Sequence, residues 1–222
     1  SRTGQIIRFG TAKDYKRAGP EPDSPNTGGM GCISPHPQET PELWRTVTNT
    51  MVGPLLNTMV EKGTSFSGVL YMGLMLTAEG PKLLEINTRF GDPEAQVLLP
   101  RLQGNLADIL YRVTALPFQQ DERVELNWDP RPAITLVLAA EGYPAKPRTG
   151  IVIPPVAPLP PDVFLTMANV EKDEEGDLVN TGGRILNITA LGDTLADARA
   201  KAYAAIVPWQ VEGTFVRPDI GL

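Results

Sequence analysis

Lys82-Leu-Leu-Glu-Ile-Asn-Thr-Arg-Phe-Gly-Asp-Pro-Glu94 is the stretch on which the reading of this chain turns. Side chains alternate faces along a strand, so Leu83, Glu85 and Asn87 are expected on one face and Leu84 and Ile86 on the other. Glu85 and Asn87 then present two oxygens side by side, a donor set suited to a hard cation such as Mg²⁺. Arg89 follows, where a guanidinium meets phosphate oxygens bidentately. Asp92-Pro93-Glu94 reads as N-cap, N1 and N2 of a helix, with free backbone donors at that end of the strand. Spacing alone is equally satisfied by a hairpin strand that runs into a capped helix with ordinary surface polars.

Working outward, Phe66 to Leu76 reads as a buried strand, Thr77 to Pro81 as a hairpin loop, and Lys82 to Asn87 as the antiparallel return. Upstream, Gln5 to Phe9 has the look of a strand end. Thr40-Pro41-Glu42 is a helix start. Leu43, Val47, Met51, Leu55 and Val60 form an apolar stripe, interrupted at Gly53-Pro54 and ended by Gly63, expected as two helical pieces with a core face. Downstream, a short helix is expected from Asp92 to Leu99, limited by Pro100, and another over Asn105–Val113. Ala133 to Ala140 is a strand, and any strand around Ile151–Ile153 is short or at an edge because prolines surround it. Val163–Val170 and Arg184–Leu191 are further strands, and Thr194 with Asp197 opens a late helix. The class is α+β, with residues 1–114 as one region, 115–132 as a linker, and 133–222 as a small, mainly antiparallel β domain with one helix.

The chain has 222 residues, 41% of them apolar and 21% charged, with a net charge of −6. That is ordinary for a globular protein with a real core, and without a basic run it gives no reason to expect a nucleic-acid or membrane partner. The single cysteine, Cys32, excludes an internal disulfide framework and fits a reducing, cytoplasmic setting. No apolar run is long enough to span a bilayer, and nothing reads as a signal peptide. The chain opens at Ser1-Arg2-Thr3-Gly4 without an initiator Met, so it is expected to be the interior of a longer protein.

Two further stretches complete the pattern. Asp14-Tyr15-Lys16-Arg17 is a compact charged cluster. Pro25-Asn-Thr-Gly-Gly-Met-Gly31 supplies glycines that allow positive φ and let backbone N–H groups crowd an anion, yet it lacks the ending of a P-loop and the spacing of a dinucleotide fingerprint. Taken in order with Leu84 to Glu94, these stretches resemble the glycinamide ribonucleotide synthetase (phosphoribosylamine–glycine ligase) family of the ATP-grasp superfamily. Ala139 to Pro144 and Gly182 to Thr194 resemble the C-terminal domain of the same family.

The resemblance implies the C-terminal half of an ATP-grasp module followed by the family's C-terminal domain. It implies an ATP-dependent ligase of de novo purine biosynthesis: glycine is phosphorylated to an acyl phosphate, and the amine of 5-phosphoribosylamine attacks it, giving glycinamide ribonucleotide, ADP and phosphate. Glu85 and Asn87 match the family's ligands for Mg²⁺ or Mn²⁺, and Arg89 matches the residue that neutralises the transferring phosphoryl group. Asp14, Lys16, Asn26, Thr27, Gly28, Gly29, Asp92, Pro93 and Glu94 match positions around glycine and ribosylamine, where an acid holds an ammonium and backbone N–H groups hold an anion. Two departures stand out. Tyr15 occupies the place of the family's usual histidine, while the only histidine, His36, lies in a proline loop and reads as structural. The family's N-terminal domain and the purine half of the nucleotide pocket are also expected elsewhere, on a missing N-terminal portion of the same chain, so these residues alone are expected to be inactive. Two further readings stay open at this stage: another ATP-grasp carboxylate–amine ligase or carboxylase, and a non-catalytic binding module.

Overall fold

The computed structural model describes residues 6–114, 124–156 and 158–222. Its strands are β1 (Lys13–Asp14), β2 (Gly31–Ser34), β3 (Tyr71–Thr77), β4 (Gly80–Asn87), β5 (Leu102–Gln103), β6 (Asn127–Trp128), β7 (Ala133–Ala140), β8 (Val163–Met167), β9 (Val170–Lys172), β10 (Leu178–Asn180), β11 (Arg184–Leu191) and β12 (Thr214–Phe215). Its helices are α1 (Pro41–Val47), α2 (Gly53–Glu61), α3 (Glu94–Leu98), α4 (Leu106–Thr114) and α5 (Leu195–Ile206). The mixture of helices and antiparallel strands is the expected α+β class.

Two compact units share the chain, and they interleave along it. The sheet unit takes Gly10–His36, Asp92–Arg101 and the described residues of Asp129–Leu222; the hairpin unit takes residues 6–9, Pro37–Gly91, 102–114 and 124–128. The units thus do not follow the sequence order 1–114, 115–132, 133–222, because Gly10–His36 and Asp92–Arg101 pack with the C-terminal residues. Residues 115–123 of the expected linker lie outside the described residues, and β6, within its remainder, pairs with β5.

In the sheet unit the order is β1-β2-β7-β11-β8, with β12 also on β7, and every pairing is antiparallel. All eight residues of β7 are buried, as a run apolar but for Thr135 demands. Ile134, Leu136, Leu138, Leu186 and Ile188 form the core with Ala198, Ala202, Ile206 and Trp209. Each buried Leu or Ile there contributes about 1.5–3 kcal/mol. Helix α5 starts as expected: Thr194 Oγ1 accepts the Asp197 N–H, and Asp197 Oδ2 accepts the Asp193 N–H. The Ile151–Ile153 segment makes only the isolated bridge Val152–Val179, in keeping with its prolines. The expected strand Val163–Val170 is two, β8 and β9, split at Ala168-Asn169.

The hairpin unit holds the larger departures. The Thr40 cap is present, its Oγ1 accepting the Leu43 N–H. The helix does not break at Gly53-Pro54, however. It runs through a π-helical stretch, Thr48–Val52, where the Gly53 N–H reaches back five residues to the Thr48 carbonyl. Pro54 has no N–H and its ring needs room, and the wider turn supplies that room. Of the stripe expected as core, only Val47 is buried, and Val60 is exposed. Residues 6–9 form no strand, and β3 begins at Tyr71 rather than Phe66. The hairpin is open on both faces, with Met75, Leu83, Leu84 and Ile86 all exposed.

Candidate functional site

The metal-ligand candidates lie on β4. Its register against β3 pairs Asn87 with Tyr71, Ile86 with Met72 and Glu85 with Gly73, then shifts so that Leu83 faces Leu74. Leu84 is the extra residue of a β-bulge, so alternation does not carry from Glu85 back to Leu83. Beyond the bulge the period of two holds, and Glu85 and Asn87 share a face as expected. Gly73 is required opposite them, since a Cβ there would lie 2.7 Å from Glu85 Cγ. Arg89 is exposed and donates from Nη1 to the neighbouring Phe90 carbonyl at 2.8 Å. Among the described residues no group of three or more His, Cys, Asp or Glu side chains is arranged around a common point. A carboxylate and an amide oxygen fit an ion that keeps water and phosphate oxygens as its other ligands, the habit of Mg²⁺.

A second cluster belongs wholly to the sheet unit. Asp14 ends β1 opposite Cys32 of β2, and both of its carboxylate oxygens are buried with no hydrogen-bond partner. Gly29 makes this possible. Its φ is +115°, and a Cβ there would fall within 2.8 Å of Asp14 Oδ1 and clash with Pro93 Cδ. Lys16 Nζ stands 3.9 Å from Asp14 Oδ2, an ion pair too long for a hydrogen bond. Burial above all, and then the nearby Glu94 carboxylate, push the Asp14 carboxyl up to about 7, against the opposing pull of Lys16 and Arg184. Glu94 is itself buried, at the start of the five-residue α3. Cys32 sits beneath the same two carboxylates, its thiol pushed up by burial and by their charge.

The expected N-cap is corrected. Pro93, after a cis Asp92–Pro93 bond, stands at the cap position, and helix α3 begins at Glu94. Asp92 is drawn instead to side chains: Oδ1 accepts from Gln96 Nε2 at 2.9 Å and Oδ2 from Arg184 Nη2 at 2.9 Å. Gln96 must present its NH₂ to that carboxylate, which leaves Gln96 Oε1 as a further buried acceptor without a partner.

The glycine-rich turn also differs from an anion nest. The Thr27 N–H donates to the Lys16 carbonyl, the Gly29 N–H to Thr27 Oγ1 and the Met30 N–H to the Tyr15 carbonyl. The Gly28 N–H donates to Tyr143 Oη at 2.9 Å, and the Gly28 carbonyl accepts from Arg184 Nη1 at 3.0 Å. These donors are engaged within the protein, so the turn shapes the site by close packing. Asn26 bridges to Arg17 at its edge.

Tyr143, Arg184 and Gln96 were not among the expected site residues. Arg184 and Tyr143 do fall in the stretches that resemble the family's C-terminal domain, and Gly183 carries the signal that joins them: a Cβ there would overlap Tyr143 Cδ2. Tyr15 turns away from Asp14. Its hydroxyl accepts the Gly221 N–H at 3.1 Å, and its ring lies 4.7 Å from Lys13 Nζ and 5.4 Å from the Arg217 guanidinium. The His36 N–H is held by Thr11 Oγ1 at 3.1 Å.

Comparison with known proteins matches both ends of the chain to one family. Residues 2–95 match the phosphoribosylglycinamide synthetase ATP-grasp (A) domain, and residues 133–222 match the phosphoribosylglycinamide synthetase C domain. The chain is 45% identical to a phosphoribosylamine–glycine ligase of Brucella melitensis, over 97% of this chain and 50% of that protein. The crystal structure of phosphoribosylamine–glycine ligase from Thermotoga maritima superposes with a TM-score of 0.76 at 34% identity, covering 94% of this chain and 50% of that one. The biotin carboxylase subunit of pyruvate carboxylase has the same fold at 18% identity, with a TM-score of 0.67 over 96% of this chain and 44% of that one. The chain spans about half the length of the curated relatives it matches. It is therefore part of an ATP-grasp protein, and it belongs to the phosphoribosylglycinamide synthetase family.

Proposed function

We propose that this chain supplies the metal-binding strand and the acceptor site of an ATP-dependent ligase that joins glycine to 5-phosphoribosylamine through a glycyl phosphate. The observation that carries the reading is the Asp14 carboxylate, buried with neither oxygen hydrogen-bonded. A buried acceptor left open costs about 1–3 kcal/mol, a cost recovered when a donor-rich ligand such as an amine occupies the place. Gln96 Oε1, from the same cluster, is a further open acceptor.

Each residue then has a physical task. Glu85 and Asn87 hold the divalent ion, Mg²⁺ or Mn²⁺, by two oxygens. When bound, that ion neutralises the ATP phosphates during transfer to the glycine carboxylate. Arg89 offers a guanidinium to the transferring phosphoryl group. Asp14 faces the substrate amine, with Lys16 as the nearby cation for an anionic group. Asp92, Pro93, Gly28 and Gly29 fix the walls around Asp14, and Glu94 sets its charge state. No covalent nucleophile is needed, because positioning and charge neutralisation suffice for this chemistry.

The partners are ATP, glycine, 5-phosphoribosylamine and the remaining portion of the ligase. We infer that the 222 residues alone turn over none of these substrates, since the relatives are about twice as long. The exposed apolar residues of the β3–β4 hairpin support the same inference. Among the described residues no helix is long and apolar enough to cross a membrane. The test is ADP release by the intact ligase. Release that requires glycine and phosphoribosylamine together is the expected result. Release driven by another acid, or none with this pair, would sink the reading.

A further inference from the structure

Asp14 is unlike a residue that merely holds an ammonium. Glycine carries a permanent positive charge on its amine near neutral pH, and a fully ionised carboxylate holds such a group best. The Asp14 carboxyl is instead buried, beside a second buried carboxyl at Glu94, with both oxygens open. The groups facing it are Glu94 from α3, Lys16 beyond its own strand, Arg184 from β11 and the thiol of Cys32 from β2. Lys16, Arg184 and the Tyr15 backbone favour its ionised form, and Lys16 does so from 3.9 Å. A carboxyl held up to about 7 is tuned to exchange a proton near neutral pH. The Cys32 thiol, pushed up and still further from neutral, does not compete for the proton.

Resting on the ligase reading above, we propose that Asp14 is the general base of the amide-forming step, accepting the proton of the ribosylamine nitrogen. The nitrogen lone pair forms the N–C bond to the glycyl carbonyl carbon. The C–O bond to the phosphoryl group breaks, and phosphate leaves with that electron pair. The proton shed by nitrogen ends on an Asp14 oxygen and passes afterwards to solvent. Glu94 is the positioning residue for this step: its nearby charge keeps Asp14 basic enough to take the proton.

The test uses the intact ligase and two reactions. One is formation of glycinamide ribonucleotide. The other is trapping of glycyl phosphate by hydroxylamine, with ribose 5-phosphate filling the acceptor's place. Asp14→Asn is expected to slow the first by roughly 10²- to 10⁴-fold, at least 100-fold more than it slows the second. In the wild type, kcat/KM for ribosylamine should fall on the acid side of about 7, and Glu94→Gln should move that limb to lower pH. Equal losses in the two reactions, or full ribonucleotide formation by Asp14→Asn, would overturn the proposal. An acid limb unmoved by Glu94→Gln would do the same. A wild-type enzyme that traps no glycyl phosphate and releases no ADP with glycine and ribosylamine would instead refute the ligase reading itself.

Discussion

Arg184 Nη2 lies 2.9 Å from Asp92 Oδ2, while Nη1 of the same guanidinium holds the Asp92 carbonyl at 2.9 Å and the Gly28 carbonyl at 3.0 Å. One side chain from β11 thus grips both walls of the Asp14 site. Lysine has a single ammonium and cannot reproduce the fork. Arg184→Lys should raise KM for the amine substrate by tenfold or more in the intact ligase, because each lost charge-assisted bond is worth about 1.5–3 kcal/mol. Steady-state kinetics measures this, and an unchanged KM would show that the grip is dispensable.

Asp14 makes the fold weaker as pH rises. Its carboxyl sits at about 7 in the fold against 3.8 unfolded, so between those values the folded chain keeps a proton that the unfolded chain has released. Stability is therefore full below the lower value, declines through the window and levels off above the upper one. Asp14→Asn removes the penalty. The variant should be more stable than wild type at about pH 8, by on the order of a few kcal/mol, and the difference should close near about pH 4. Denaturant titrations at the two pH values decide it. An Asn variant less stable than wild type at the higher pH would refute the buried, unpaired assignment.

Gly29 admits no side chain. Its φ of +115° is a glycine region, and a Cβ would meet both Pro93 and Asp14. Gly29→Ala should cost at least ~1–3 kcal/mol from backbone strain and should also displace Asp14, lowering kcat/KM. Gly63, also at positive φ but with nothing within 4 Å of its Cβ position, is the control. Gly63→Ala should show a stability loss of similar backbone origin with kinetics intact. Equal kinetic damage in both would point to unfolding rather than to the site.

Much of this was legible in the sequence, for reasons that vary by element. The buried run Ala133–Ala140 and the Thr194–Asp197 cap declare β7 and α5 locally. Glu85 and Asn87 share a face because two-residue periodicity survives beyond the bulge. The bulge itself was not legible, since Leu83-Leu84 carries no local mark for an extra residue. Gly31–Ser34 gave no hint of a strand beside β7, because four short residues show no period. The Arg184–Asp92 pairing spans 92 residues, and only folding brings those segments together. The short α3 appeared in the right place with the wrong cap, because Asp92 finds a stronger partner in Arg184 than in a backbone N–H.

Tyr15 tests whether the family's histidine at this place matters to chemistry. Tyr15 follows directly on β1, and its hydroxyl is held by the Gly221 N–H rather than by Asp14. Tyr15→Phe should lose about 1 kcal/mol with that hydrogen bond and leave the ligase rate within a factor of two. Thermal melting and turnover check the two halves. A large rate loss at unchanged stability would show that this assignment is wrong.

Glu85 and Asn87 make the closing case, because the strand offers no third acid. The residues of β3 are Tyr-Met-Gly-Leu-Met-Leu-Thr, and Gly73 stands directly opposite Glu85. In the proposed site this hairpin offers the ion one carboxylate and one amide oxygen, with water and phosphate as further ligands, so removing that carboxylate should be costly. Glu85→Gln keeps the shape and the contact with Gly73 but loses the charge. It should raise the Mg²⁺ concentration for half-maximal rate by more than the roughly 10- to 100-fold that loss of an outer-sphere partner costs. Because the defect is one of occupancy, excess Mg²⁺ should recover part of the rate. Leu84→Ala, in the bulge and exposed, should leave the Mg²⁺ dependence in place. Titrating Mg²⁺ against turnover separates the two, and a Glu85→Gln enzyme with wild-type Mg²⁺ dependence would remove Glu85 from the ligand set.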